Sequence, residues 1–222
     1  MVLTTQPSLL DLADAPDGDD GTPAAWSLGA VADGLERHEL AHGAWVDVRR
    51  GWLRGSNAVL ATLLAEVPWR AERRQMYERE VDVPRLLRFY GEDEPLPHPC
   101  LPAARDAVSA HYADDLAAAG PLRTAGLCLY RDGRDGVAWH GDRTGRSRRE
   151  DTVVAIVSFG APRPLLLRPA GGGPTVLRVP VGHGDLLVMG GSCQRTWEHA
   201  VPKTTQPVGP RVSVQLRQRG VR

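Results

Sequence analysis

The sequence predicts an α+β fold that is mainly β, a sandwich or jelly roll behind a shorter helical region. Three observations predict it. From about residue 124 the chain divides into eight short strand-like runs, near 125–130, 137–142, 152–159, 164–168, 175–179, 185–189, 195–200 and 211–218. Gly, Pro or charged clusters separate these runs, and 24 Gly and 18 Pro favour many turns over a long helical bundle. Helical spacing is confined to residues before about 120.

Taken in order, residues 1–25 are polar and acidic, centred on Asp17-Gly18-Asp19-Asp20-Gly21. They carry too little apolar surface to offset chain entropy and are expected to be a disordered leader. The Asp cluster lacks the closing Glu and flanking helices of a calcium loop, so a solvated tail is expected. Residues 28–42 and 56–66 have helical spacing, with a short strand at 45–48 between them. Residues 69–94 are rich in Arg and turn formers and suggest a mobile lid. A helix is expected over 101–119, entered through Pro102 and ended near Gly120. Gly171-Gly172-Gly173-Pro174 reads as a hairpin turn. The expected organisation is a leader at 1–25, a helical extension with its lid at 26–123, and a β core at 124–222. The last two form one integrated domain.

The 222 residues carry 27 bases and 27 acids. The charge is unevenly spread: eight acids and one base in residues 1–40 leave 26 bases against 19 acids beyond them. A basic body is compatible with a polyanionic partner without requiring one. Lys203 is the single lysine, a bias that suggests a GC-rich, bacterial source. Three scattered cysteines, Cys100, Cys128 and Cys193, suit a reducing cytoplasm better than a disulfide framework. The N-terminus has no signal-peptide pattern, and no apolar run is long enough to span a membrane. A cytoplasmic monomer is expected.

The chemistry concentrates late in the chain. His140-Gly141-Asp142 lies at a strand end, where residues i and i+2 face one side and can converge on one ion. His199, in Trp197-Glu198-His199-Ala200, offers a third ligand. Two imidazoles and one carboxylate on one face of a metal leave the opposite positions open, which is the facial triad of non-heme iron(II) oxygenases. The bland reading of an HxD pair is a solvated strand end. Arg211 and Arg217 lie on the last strand, and their spacing puts both on one sheet face. Two buried guanidiniums need anions, and a dicarboxylate such as 2-oxoglutarate supplies them to a planar, bidentate fork. Two surface arginines would show the same spacing. Tyr130 could add a hydroxyl to the same site.

These motifs together resemble the AlkB family of nucleic-acid dealkylases. The resemblance covers roughly residues 67–219. It is strongest from Leu127 through Tyr130-Arg131-Asp132-Gly133-Arg134-Asp135 to Asp142. It continues in Ser158-Phe159-Gly160, Gly184–Met189, Trp197–His199 and Arg211–Arg217. It implies a double-stranded β-helix (jelly roll) with a nucleotide-recognition lid. It also implies iron(II) at His140, Asp142 and His199, and 2-oxoglutarate at Arg211, Arg217 and Tyr130, with Cys128 and Ser213 beside it. Oxygen is the co-reactant. The implied activity is oxidation of an N-alkyl group on a base, of the 1-methyladenine or 3-methylcytosine type. The implied substrate is single- or double-stranded DNA, or RNA, and the role is repair of alkylation damage. Three positions depart from the pattern. Many members have Asn at Cys128, an acid often stands at Thr144, and Trp stands at Met189 in some.

A base must leave its stack to reach a buried metal. Tyr77 and Met76 sit where the resemblance places a helix-probing finger, and Trp69 and Tyr90 are further candidates for substrate contact. Trp69 and Tyr90 could equally pack the lid. Arg143, Arg146, Arg148 and Arg149 follow Asp142 in one loop, and Arg70, Arg73, Arg74 and Arg79 cluster in the lid. Both sets could meet phosphates. Three other readings remain. His38-Glu39-Leu40-Ala41-His42 matches the H-E-x-x-H zinc peptidase signature, which needs both histidines on one helical face. A 2-oxoglutarate-dependent hydroxylase of a protein or small molecule would keep the cofactors and change the substrate. A non-catalytic β-sandwich binding module would have no use for open iron sites.

Overall fold

A computed structural model describes residues 26–76, 79–142 and 148–221, with the side chains of 73–82 outside that description. Fourteen strands and four short helices follow one another in it: β1 (Ser27–Leu28), β2 (Leu35–Glu39), β3 (Ala44–Arg49), β4 (Leu53–Arg54), α1 (Ser56–Glu66), β5 (Arg70–Met76), β6 (Arg79–Tyr90), α2 (Cys100–His111), α3 (Ala113–Leu116), β7 (Leu122–Tyr130), β8 (Val137–His140), β9 (Val154–Gly160), β10 (Arg163–Pro169), β11 (Leu177–Val181), β12 (Leu186–Gly191), α4 (Cys193–Thr196), β13 (Trp197–Val201) and β14 (Arg211–Gln218). Among the described residues no helix is long and apolar enough to cross a membrane.

An eight-stranded antiparallel sheet, ordered β2-β3-β12-β9-β14-β7-β6-β5, faces a four-stranded one ordered β11-β10-β13-β8. This is the jelly roll that the strand spacing predicts. The larger sheet is covered on both faces, which is why β9 is buried at every position. One core lies between the sheets, where Val46, Ile156, Leu167, Val181, Leu187 and Trp197 meet. The other packs the back of the larger sheet against α1 and α2 through Val59, Leu63, Leu101, Val108, Leu127 and Val214. The strand period of two sorts each strand between them. On β14, Val212, Val214 and Leu216 point to the helices, while Arg211, Ser213, Gln215 and Arg217 point between the sheets.

All eight runs expected after residue 124 are strands, and Gly171, Gly172 and Gly173, with φ of 90°, 112° and 110°, make the turn between β10 and β11. Helix α1 forms as expected. Gly55, at φ 69°, precedes it, and Pro68 follows its C-cap, Val67. The segment expected as one helix over 101–119 divides at Tyr112, whose φ of −100° and ψ of 29° leave the helical region. The Tyr112 hydroxyl donates to buried Asp47 at 2.8 Å, and its ring stacks on Trp45.

One expectation is corrected. Residues 28–42 form no α-helix: β2 pairs along β3 from Leu35 opposite Arg49 to Glu39 opposite Trp45. The pairing is fixed by an ion pair that no local pattern reveals, Arg37 donating twice to Asp47 at 2.7 Å. The correction also removes the zinc-peptidase reading. His38 lies in a strand and His42 at φ 65°, so the two share no helical face. The segment 69–94, rich in turn formers, is largely strand where it is described. β5 and β6 form a hairpin, and β6 pairs with β7 from Leu86 opposite Leu129 to Tyr90 opposite Ala125.

Candidate active site

The site lies between the two sheets. β8 and β13 of the smaller sheet pair so that His140 stands directly opposite His199. Their rings lie 4.3 Å apart, centroid to centroid. Asp142, two residues beyond β8, closes the group: one ligand atom from each of His140, Asp142 and His199 falls within 4.8 Å of the others. Asp142 and His199 are buried, and His140 is half-buried at the mouth.

The ring nitrogens are oriented for a metal. His140 Nδ1 is 2.9 Å from the Ala138 carbonyl, which can only accept, so Nδ1 carries the proton and Nε2 is left with its lone pair. Burial holds His140 below the ordinary histidine range. Burial, then the neighbouring imidazole, push His199 down to about 3. Both rings are therefore neutral at pH 7, the form that ligates. Burial alone would raise Asp142, but the Arg217 guanidinium and the two imidazoles outweigh it and hold the carboxyl at about 2. The donor set fits iron(II): two neutral imidazoles and one carboxylate with room on the far side.

Beside the group lies a cavity of about 60 Å³, floored by β7 and β14. Arg211 stands opposite Tyr130, and Ser213 opposite Cys128. Arg211 is 2% exposed, its Nε donates to Ser158 Oγ at 2.9 Å, and its guanidinium lies 5.2 Å from the Tyr130 ring centre. Burial pulls its pKa below the usual arginine value. Among the described residues it forms no ion pair. Arg217 does: its Nε donates to Asp142 Oδ2 at 3.0 Å. Gly126 permits this, since a Cβ there would lie 2.7 Å from Arg217 Nη1.

The structure thus brings together His140, Asp142, His199, Tyr130, Cys128, Arg211, Ser213 and Arg217. Met189 is fully buried between Val46 and Val154, with Gln194 Nε2 3.9 Å from its sulfur. Tyr90 is buried in the core behind the sheet, and Trp69 packs against that core. Tyr77, Arg143, Thr144 and Arg146, and the side chain of Met76, lie outside the described residues.

Sequence reasoning missed three contributors. Arg85, on β6, lines the cavity and donates from Nη1 to the Gly136 carbonyl at 3.3 Å. Its Nε is buried and has no hydrogen-bond partner. Reading 69–94 as strands would have put it in register beside Tyr130. Gln194 accepts from the Asp142 backbone N–H at 3.3 Å. Gln215 lines the cavity between the two β14 arginines, and the period of two already placed it on their face.

The motif before His140 acts through structure. Asp135 accepts from Arg131 N, Nε and Nη2, each at 2.8 Å, and closes the loop. Buried Arg163 donates to the carbonyls of Asp132, Asp135 and Pro202 at 3.1, 2.9 and 2.7 Å. On the outer face, Arg168 donates to Glu198 at 2.9 Å and covers Trp139, bracing the edge strand that carries His140.

Comparison with known proteins places this arrangement. The model of the 2OG-Fe(II) oxygenase superfamily matches residues 53–219. Human alpha-ketoglutarate-dependent dioxygenase alkB homolog 3 is 31% identical over 179 residues, 72% of this chain and 60% of that protein. Human DNA oxidative demethylase ALKBH2 is 34% identical over 95 residues, 40% of this chain and 36% of that protein. A solved structure, "The structure of OsALKBH1", shares the fold with a TM-score of 0.56 and 14% identity, over 82% of this chain and 100% of its own. The chain belongs to the 2OG-Fe(II) oxygenase superfamily and, within it, to the AlkB family. It spans about three fifths of the length of the alkB homolog 3 relatives. The cofactors of this class are iron(II), 2-oxoglutarate and oxygen.

Proposed function

We propose that this chain is a dioxygenase that removes N-alkyl groups from DNA bases of the 1-methyladenine and 3-methylcytosine type, as a repair activity. One observation carries the reading. The His140-Asp142-His199 cluster opens onto the same cavity as Arg211, a buried cation with no carboxylate partner among the described residues. A buried guanidinium left unpaired is costly unless an anionic ligand completes it. A dicarboxylate that also chelates a metal answers both halves of the site.

In this reading His140, Asp142 and His199 hold iron(II). Arg211 and the Tyr130 hydroxyl receive the remote carboxylate of 2-oxoglutarate. Arg217 keeps Asp142 ionised and fixed in orientation, and Arg85 adds positive charge above the cavity. Cys128 and Ser213, small and paired across the floor, leave room for the cosubstrate. Iron(II) held by these three residues would supply hydroxylation of the alkyl carbon, with 2-oxoglutarate and oxygen going to succinate and carbon dioxide. The hydroxylated N-alkyl group would then leave as an aldehyde and restore the base. The protein holds the reactants together and keeps water out. Relatives named as alkB homolog 3 dioxygenases and a DNA oxidative demethylase support a nucleic-acid substrate. Exposed Arg70, Arg148 and Arg149 supply cations for its phosphates.

The test is mass spectrometry of single- and double-stranded oligonucleotides carrying 1-methyladenine or 3-methylcytosine, incubated with the protein, iron(II), 2-oxoglutarate, ascorbate and oxygen. Loss of the methyl group that is absent in His140→Ala is the expected result. Intact oligonucleotides alongside continued conversion of 2-oxoglutarate to succinate would leave the cofactors in place and overturn the substrate.

A further inference from the structure

A strand ladder places His140 and His199 but does not reach Asp142. The two histidines stand opposite each other because β8 pairs with β13. β8 ends at His140, so Asp142 lies beyond it, buried and in irregular chain. A buried backbone N–H outside a ladder needs another acceptor. The Asp142 N–H donates to Gln194 Oε1 at 3.3 Å. Gln194 is 1% exposed, and its Nε2 turns the other way, 3.9 Å from the Met189 sulfur. A backbone N–H can only donate, which fixes the amide with its oxygen towards Asp142.

The place of Gln194 in the chain gives this bond leverage. It belongs to α4, the short helix between β12 and β13, and stands five residues before His199. α4 is anchored on its far side: Ser192 Oγ donates to the His42 carbonyl at 2.7 Å, and Trp197 Nε1 to the Ala41 carbonyl at 3.2 Å. Next to Gln194, Arg195 Nε donates to Asp151 Oδ1 at 3.0 Å. Consecutive residues of α4 thus hold the chain where it leaves β8 and where it returns towards β9. The Arg195–Asp151 pair is exposed, and exposed ion pairs contribute little, so the buried amide is the stronger grip. Arg217 orients the Asp142 side chain at Oδ2, and Oδ1 lies 3.8 Å from His140 Nε2. Gln194 holds the backbone from which that side chain extends.

We infer that Gln194 is a positioning residue of the metal centre. By tying the Asp142 backbone to the helix that leads into His199, it sets where the carboxylate stands relative to the two imidazoles, without touching the metal itself. The inference rests on the proposed function, because it takes His140, Asp142 and His199 to be the iron(II) ligands. A group that orients a ligand governs metal affinity, since the ion gains from each side chain only when all of them converge on it.

The test is calorimetric titration of the metal-free full chain with manganese(II), together with the visible absorption spectrum of the cobalt(II)-saturated protein. Gln194→Leu fills the space without offering an acceptor. It is expected to raise the manganese(II) Kd about 10–100-fold and to shift the cobalt(II) bands, because the carboxylate moves in the ligand field. Gln194→Ser is too short to reach the Asp142 N–H, gives the same two changes, and carries the test if the leucine variant folds poorly. Arg195→Ala removes the exposed ion pair, leaves the amide in place, and keeps the Kd within about threefold of wild type. Wild-type affinity and an unchanged cobalt(II) spectrum in both Gln194 variants, with only the urea midpoint lowered, would show that Gln194 merely satisfies a buried N–H. That result would overturn the inference while the metal site stands. Equal weakening in Arg195→Ala would assign the effect to α4 as a whole and would also overturn it. Manganese(II) binding that is the same in wild type and His140→Ala would overturn the metal site, and this inference with it.

Discussion

Replacing Arg211 with Met separates binding from folding, because the structure assigns that guanidinium little structural work. It is 2% exposed, forms no ion pair among the described residues, and its side-chain hydrogen bonds go to neutral hydroxyls, those of Ser158 and Tyr130. Burial already disfavours its charge. Met fills a similar volume without that penalty. It forfeits two hydrogen bonds of about 0.5–1.5 kcal/mol net each, offset by relief of the buried charge, so the unfolding free energy should stay within about 2 kcal/mol of wild type. Binding should change far more. Truncating one partner of a buried, hydrogen-bonded charge pair costs about 2–5 kcal/mol, which is roughly a 30-fold to several-thousand-fold rise in Kd for 2-oxoglutarate. Calorimetry on manganese-loaded protein measures the Kd, and urea unfolding of the metal-free protein measures stability. Unchanged affinity combined with a loss of about 3 kcal/mol or more in stability would show the reverse division of labour and refute the argument.

Asp47→Asn should cost about 2–3 kcal/mol in urea unfolding. The value lies below the range for fully buried pairs because Arg37 reaches solvent, and the cost arises because Arg37 and Tyr112 both depend on the carboxylate. Gly126→Ala should leave the fold intact yet weaken manganese(II) binding about tenfold. Its Cβ would lie 2.7 Å from Arg217 Nη1 and displace the guanidinium from Asp142. Stability of the metal-free protein should fall as pH drops from the ordinary histidine value towards about 3. In that window the unfolded chain binds a proton at His199 that the folded chain refuses. Urea titrations at pH 8, 6.5 and 5 should show a steeper decline for wild type than for His199→Gln, and equal slopes would contradict the buried neutral imidazole.

Much of this protein was legible in its sequence where the signal is local. Alternation along 211–218 separates Val212, Val214 and Leu216 from Arg211, Ser213, Gln215 and Arg217, because successive strand residues face opposite sides. The same period, read on past His140, anticipates Asp142 on its side, although β8 ends at His140, and Trp197-Glu198-His199 is readable as a strand. The family was legible because several ordered motifs occur together. The tertiary structure alone decided the rest. Residues 28–42 have helical spacing, yet β3 offers them a ladder and Asp47 offers Arg37 a buried partner, and such long-range terms outweigh weak local preference. The β5–β6 hairpin belongs to the sheet because β7 supplies its register, and that register carries Arg85 into the cavity. His140 faces His199 across 59 positions of chain only because β8 and β13 pair there. Arg217 meets Asp142 instead of solvent because Gly126 leaves space. Residue spacing determines which side chains share a face. Which faces meet, and therefore which charges are neutralised and which are left for a ligand, depends on hydrogen-bond register and burial, and those are properties of two segments together.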